Sequence, residues 1–143
     1  ALNIVHRSSP IEGKPMKLLT SETYSASART LHMPNDADPQ SLAWAEAECI
    51  ELVFPKFTDG RAYSQAYLLR RRLGFSGELV ATGDVLVDQL ALMQRSGFSA
   101  AVLRADQSPA LAAQVLQAYP GQQAGPYQGD AREPLPRFAK VAA

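Results

Sequence analysis

The polar residues that could do chemistry fall in four short segments: Asn35-Asp36, Lys56-Phe57-Thr58-Asp59-Gly60-Arg61, Thr82-Gly83-Asp84 and Arg104-Ala105-Asp106. Each holds at least one acid, and two hold a base. Opposite charges side by side can orient an anion and supply a proton, but no nucleophile stands beside a base in the sequence. The second segment is the richest. Lys56 and Arg61 flank a turn in which Thr58 or Asp59 can cap a helix starting near Arg61, and Gly60 lets backbone approach an oxyanion. The plainer account makes Asp59 an N-cap, Gly60 a turn residue and both bases solvated. Gly83-Asp84 reads first as a cap, and neither segment supplies a G-x-G-x-x-G or Walker lysine. The ligand-binding candidates are therefore Lys56, Thr58, Asp59, Gly60, Arg61, Gly83, Asp84 and Arg104.

Other reactive residue types are sparse. Arg70, Arg71 and Arg72 form the one basic run, and with Arg61 they leave residues 61–75 without an acid. An exposed helix face is the simple expectation, with Arg70 and Arg72 as candidates for a partner surface. His6 and His32 have no spacing to each other or to acids that suggests a metal site or a triad. Cys49 opens an apolar strand and reads as buried and inert. Being the single cysteine, it excludes an internal disulfide framework, an iron–sulfur cluster or a multi-cysteine zinc site. No metal and no cofactor is expected in the chain itself.

The four segments need elements to bring them together. Cys49–Phe54 is short, apolar and followed by a turn, the pattern of a strand that stops. Ala62, Ala66, Leu69 and Leu73 then repeat at helical spacing up to Gly74. Residues 78–81 read as a strand, and Leu86, Leu90 and Met93 as a helix ending at Gly97. Residues 100–103 read as a strand, Ser108-Pro109 as a helix start, and Leu111, Val115 and Ala118 as that helix's stripe. Thr30–Met33 with a helix from Asp38 or Pro39 to about Ala47 makes a weaker unit. Gly-Phe-Ser occurs at 74–76 and 97–99, each time as a helix end needing positive φ followed by an aromatic that packs on the sheet. Trp44 and Tyr67 read as packing residues.

Repeated βα units call for a mostly parallel sheet of about four strands, half-barrel-like or open, with right-handed crossovers. Its loops would converge at the carboxyl edge. One domain is expected over residues 1–143, with a core of about 28–119. Residues 1–27 form an irregular arm with room for an edge strand. The Pro- and Gly-rich tail 120–143 is extended, and the aromatics of 119–127 lie against the body. With 143 residues, 46% hydrophobic, the chain can enclose a core. Fourteen bases balance fourteen acids, against a nucleic-acid partner. No apolar run reaches the roughly 18 residues of a membrane span, so a soluble, cytoplasmic protein is expected.

The block Phe54–Ala66, followed by Leu68-Leu69-Arg70, Leu73-Gly74-Phe75, Gly77-Glu78-Leu79, Gly83-Asp84-Val85-Leu86, Asp88-Gln89 and Gly97-Phe98, closely resembles a bacterial family catalogued as a domain of unknown function. Members are often labelled probable oxidoreductases of sulfite reduction. The resemblance covers about residues 50–104 and marks Lys56, Asp59, Gly60, Arg61, Tyr63, Ser64, Gln65, Arg70, Glu78, Gly83, Asp84, Asp88 and Gln89 as motif positions. The chain departs from the pattern at Val80 and Val87, where bases are usual, and at Ser96, where cysteine is common. The resemblance implies a role in assimilatory sulfur metabolism. Two functions follow. One is an accessory protein that docks to sulfite reductase or a related redox enzyme and holds no redox centre. The other is a small α/β enzyme or binding protein for an oxyanion or nucleotide phosphate at the strand-end edge. Whether catalysis occurs is left open by the residues.

Overall fold

The computed structural model describes residues 16–41 and 43–118. His6, the tail and the aromatics of 119–127 lie outside the described residues. Five strands are present: β1 Lys17–Leu19, β2 Thr30–Met33, β3 Cys49–Phe54, β4 Glu78–Gly83 and β5 Ala100–Val102. Their order across the sheet is β1-β5-β4-β3-β2, with every neighbouring pair parallel and the sheet open. The parallel α/β expectation holds, with a fifth strand drawn from the apolar Met16–Leu19 piece of the arm.

Alternation divides each strand between two environments. In β3, Ile50, Leu52 and Phe54 are buried on one face, while Cys49, Glu51 and Val53 take the other. From β2 to β5 each crossover moves the chain one strand in the same direction, which collects the helices on one face. They are α1 Arg61–Tyr67, prolonged by a π turn Leu68–Arg72; α2 Leu90–Ser96, entered through the 3-10 turn Val87–Gln89; and α3 Pro109–Ala118. Ala62, Ala66, Leu69, Leu90, Met93, Ala112 and Leu116 pack with the β-strand side chains in one core. Burying each large side chain contributes about 1.5–3 kcal/mol. On the opposite face Val80, Ala100 and Val102 form a smaller cluster with Leu19, Tyr24 and Cys49 against them.

The Gly-Phe turns match expectation. Gly74 and Gly97 have φ of 74° and 115°, and Phe75 and Phe98 are buried behind them. Ser108 caps α3, its hydroxyl accepting the Leu111 N–H at 3.2 Å. The helix expected from residue 38 or 39 to 47 is instead a single 3-10 turn, Pro39–Ser41, and residues 43–48 are not helical. Among the described residues there, Trp44 and Ala47 pack against the core, and Trp44 meets Phe75 edge-on at 5.9 Å. A helix this short is marginal on its own, and these described contacts do not suffice to hold one.

Candidate functional site at the strand-end edge

β3 and β4 stop side by side. Gly83 takes φ of 92°, and a Cβ there would stand 2.4 Å from the Phe54 carbonyl oxygen. Only glycine allows this approach, which lets the Asp84 N–H donate to Phe54 O at 2.8 Å. The Asp84 carboxylate then accepts the Phe57 N–H at 2.8 Å, and Gln89 Nε2 donates to Phe57 O at 2.7 Å. Asp84 is therefore no helix cap. It ties the loop after β3 to the loop after β4, and the next helical turn is capped at Leu86.

The rest of the edge is a chain of ion pairs. Arg104, just after β5, donates to Asp84 at 2.5 Å and grips Asp106 through Nε and Nη2 at 2.6 and 2.8 Å. Asp59 receives Arg61 through Nε and Nη2 at 3.1 and 2.8 Å, and Asn35 through Nδ2 at 2.6 Å. Asp59 also accepts the Arg61 N–H at 3.1 Å, so the first amide of α1 is satisfied from within the chain. The cap position itself is Gly60. A Cβ at Gly60 would meet only Tyr63, at an ordinary 3.8 Å, so packing does not demand glycine there. Arg61 hydrogen bonds hold the Asp59 carboxyl down to about 2, and Arg104 holds Asp106 down to about 2. Asp84 is lowered too, first by Arg104 and then by the Phe57 amide.

The candidates from the sequence thus lie at one end of the sheet, with Asp59 and Arg61 joined, and Asp84 and Arg104 joined. Lys56 and Thr58 are exposed beside them, and Lys56 has no ion pair among the described residues. Phe57 was not among the expected site residues; it is 48% exposed, and its main chain makes two hydrogen bonds. Its signal in the sequence was its place inside the Phe54–Ala66 block, with the Asp88-Gln89 motif in the neighbouring loop. Among the described residues, no three His, Cys, Asp or Glu side chains form a group that could hold a metal. No helix among them is long and apolar enough to cross a membrane.

Arg70 corrects the expectation of an exposed basic face. It is buried, and donates to Gly97 O, Phe75 O and Gly77 O at 2.9, 2.9 and 2.6 Å. Its guanidinium also stands 5.7 Å from the Phe75 ring centre. The reason is its partners: the carbonyls of the two Gly-Phe turns close around the guanidinium, whereas Arg72 stays exposed.

Fold and edge together define an open parallel α/β domain whose polar loops are cross-tied at the carboxyl ends of the strands. Residues 30–138 match the family described as "Bacterial protein of unknown function (DUF934)", and the chain belongs to that family. No curated protein and no solved structure matches it.

Proposed function

We propose that the protein is an accessory component of assimilatory sulfite reduction, docking to a redox enzyme and holding no redox centre itself. The docking half of this reading is carried by Phe57. Its ring faces solvent, while its own N–H and C=O are both held by side chains of the neighbouring loop, Asp84 and Gln89. An aromatic on an already fixed backbone gives up little entropy on contact, the property of a binding anchor. Lys56 precedes it and Arg61 and Arg104 share its edge, giving such a contact a polar rim. The sulfite half rests on the family resemblance of the Phe54–Ala66 block. The oxyanion alternative has weaker support, because the guanidiniums it needs already face Asp59, Asp84 and Asp106.

The test is co-purification of the tagged full chain from its native host, with a visible spectrum of what accompanies it. A larger enzyme with a sirohaem or flavin band is expected. Phe57→Ala should weaken its capture roughly thirtyfold, the effect of about 2 kcal/mol, with the melting temperature unchanged. Capture indifferent to Phe57→Ala, or a stoichiometric small anion leaving with the isolated chain, would overturn the proposal.

A further inference from the structure

We infer that the sheet face turned away from the helices holds a second site, at which His32, oriented by Glu51, accepts a hydrogen bond from the hydroxyl or thiol of a neutral ligand. The register sets His32 of β2 directly beside Glu51 of β3. Both lie on the face opposite the main core, since Leu31, Met33, Ile50 and Leu52 take the other side.

Glu51 is unusual among the acids. Its side chain is 13% exposed, the most buried of the carboxylates in ion pairs among the described residues. The others each face a lysine or an arginine. Glu51 faces only an imidazole, which carries charge in one protonation state and not in the other. A carboxylate in the middle of a parallel strand is costly unless its oxygens are satisfied. Here Tyr24 Oη donates at 2.6 Å and His32 Nδ1 lies at 3.1 Å, with Thr82 Oγ1 at the margin, 3.5 Å. Burial and Glu51 both push the Tyr24 hydroxyl up, so it remains a donor.

A carboxylate on Nδ1 fixes the proton there and turns the Nε2 lone pair outward. The His32 side chain is 61% exposed, and Nε2 has no partner among the described residues. When a ligand O–H or S–H donates to Nε2, no covalent bond breaks and no charge is left on the ligand. The ligand must bring the donor hydrogen, since the pair has an acceptor and its orienting group but no nucleophile. Cys49 on the same face does not supply it, because burial pushes its thiol up and keeps it protonated. The nearby Lys17 is already paired with Glu78 at 2.7 Å, so Glu51 leaves the face acidic and unsuited to an anion.

The probe is diethyl pyrocarbonate, which acylates unprotonated imidazole, followed at His32 by peptide mass spectrometry on the full chain. Nitrogen-15 NMR reads the tautomer. We expect the Nδ1–H form in the wild type, and Glu51→Gln should slow acylation about tenfold, as loss of an orienting partner does. Tyr24→Phe keeps Glu51 and should leave the rate nearly unchanged. An equal loss in Tyr24→Phe would mean that Glu51 only tethers the Tyr24 loop, and would overturn the inference. So would an Nε2–H tautomer in the wild type, a rate unaffected by Glu51→Gln, or protection of His32 by sulfate at constant ionic strength. Phe57→Ala, on the strand-end edge, should not alter the rate.

Discussion

Where the strands begin, Arg70 is buried and gives its N–H groups to the carbonyls of Phe75, Gly77 and Gly97; where they stop, Arg61 and Arg104 lie in the open and give theirs to carboxylates. The first arrangement has no substitute. Neutral carbonyls sealed from water need that one donor, and the guanidinium needs them. The second is a set of exchangeable pairs at a solvent boundary, where water or a partner can take either side. The same residue type therefore fixes the fold at one end and leaves contact chemistry available at the other.

The sharpest way to break this contrast is Arg70→Ala. It leaves two buried carbonyls and a part-buried one without their donor and should cost about 3–5 kcal/mol, read as a fall in the denaturant midpoint. Arg72→Ala, two residues on and exposed, should stay within about 0.5 kcal/mol. Equal losses would erase the distinction. Gly83→Ala comes next, because its Cβ would run into Phe54 O in a backbone conformation that favours glycine. A loss of about 1–3 kcal/mol is expected, together with faster hydrogen exchange at the Asp84 and Phe57 amides.

The smallest effect is the pH dependence of the exposed pairs. Asp59 and Asp106 have folded values of about 2, below the ordinary 3.8. A lowered carboxyl stabilises the fold above its unfolded value and loses that contribution as pH falls through the folded one. The stability gap between wild type and Asp106→Asn should be present above about pH 4, mostly lost by about pH 2 and closed below it, as followed by urea titration. A gap undiminished at pH 2 would mean that Asp106 acts through packing instead of charge.

The sequence made legible whatever depends on neighbours along the chain. Period-two and helical spacing located β3, β4, α1, α2 and α3, and the local rules for Ser108, Gly74 and Gly97 hold in atomic detail. Contacts across the chain were illegible. Asp84 resembled a cap because its real donors, Phe57 and Arg104, sit 27 and 20 positions away. Arg70 looked exposed because the carbonyls that take its donors, on Phe75, Gly77 and Gly97, lie outside its own helix. His32 lacked any acid at a telling separation, since only strand register brings Glu51 to it. A glutamate between Ile50 and Leu52 was the one readable trace of that face.

The strand order also sets a timetable. β2, β3 and β4 each pair with the next strand along the chain, one crossover later, so that ladder can form progressively as a ribosome delivers it. β1 is made first and seated last: its partner is β5, with Lys17 opposite Ala100, and the Met16 N–H waits for Gln94 Oε1. Closing so long a loop is slow relative to the local crossovers. Until Val102 has been made, the opening strand has nowhere to go, and a nascent chain arrested before that point carries an unclosed sheet edge for chaperones to cover.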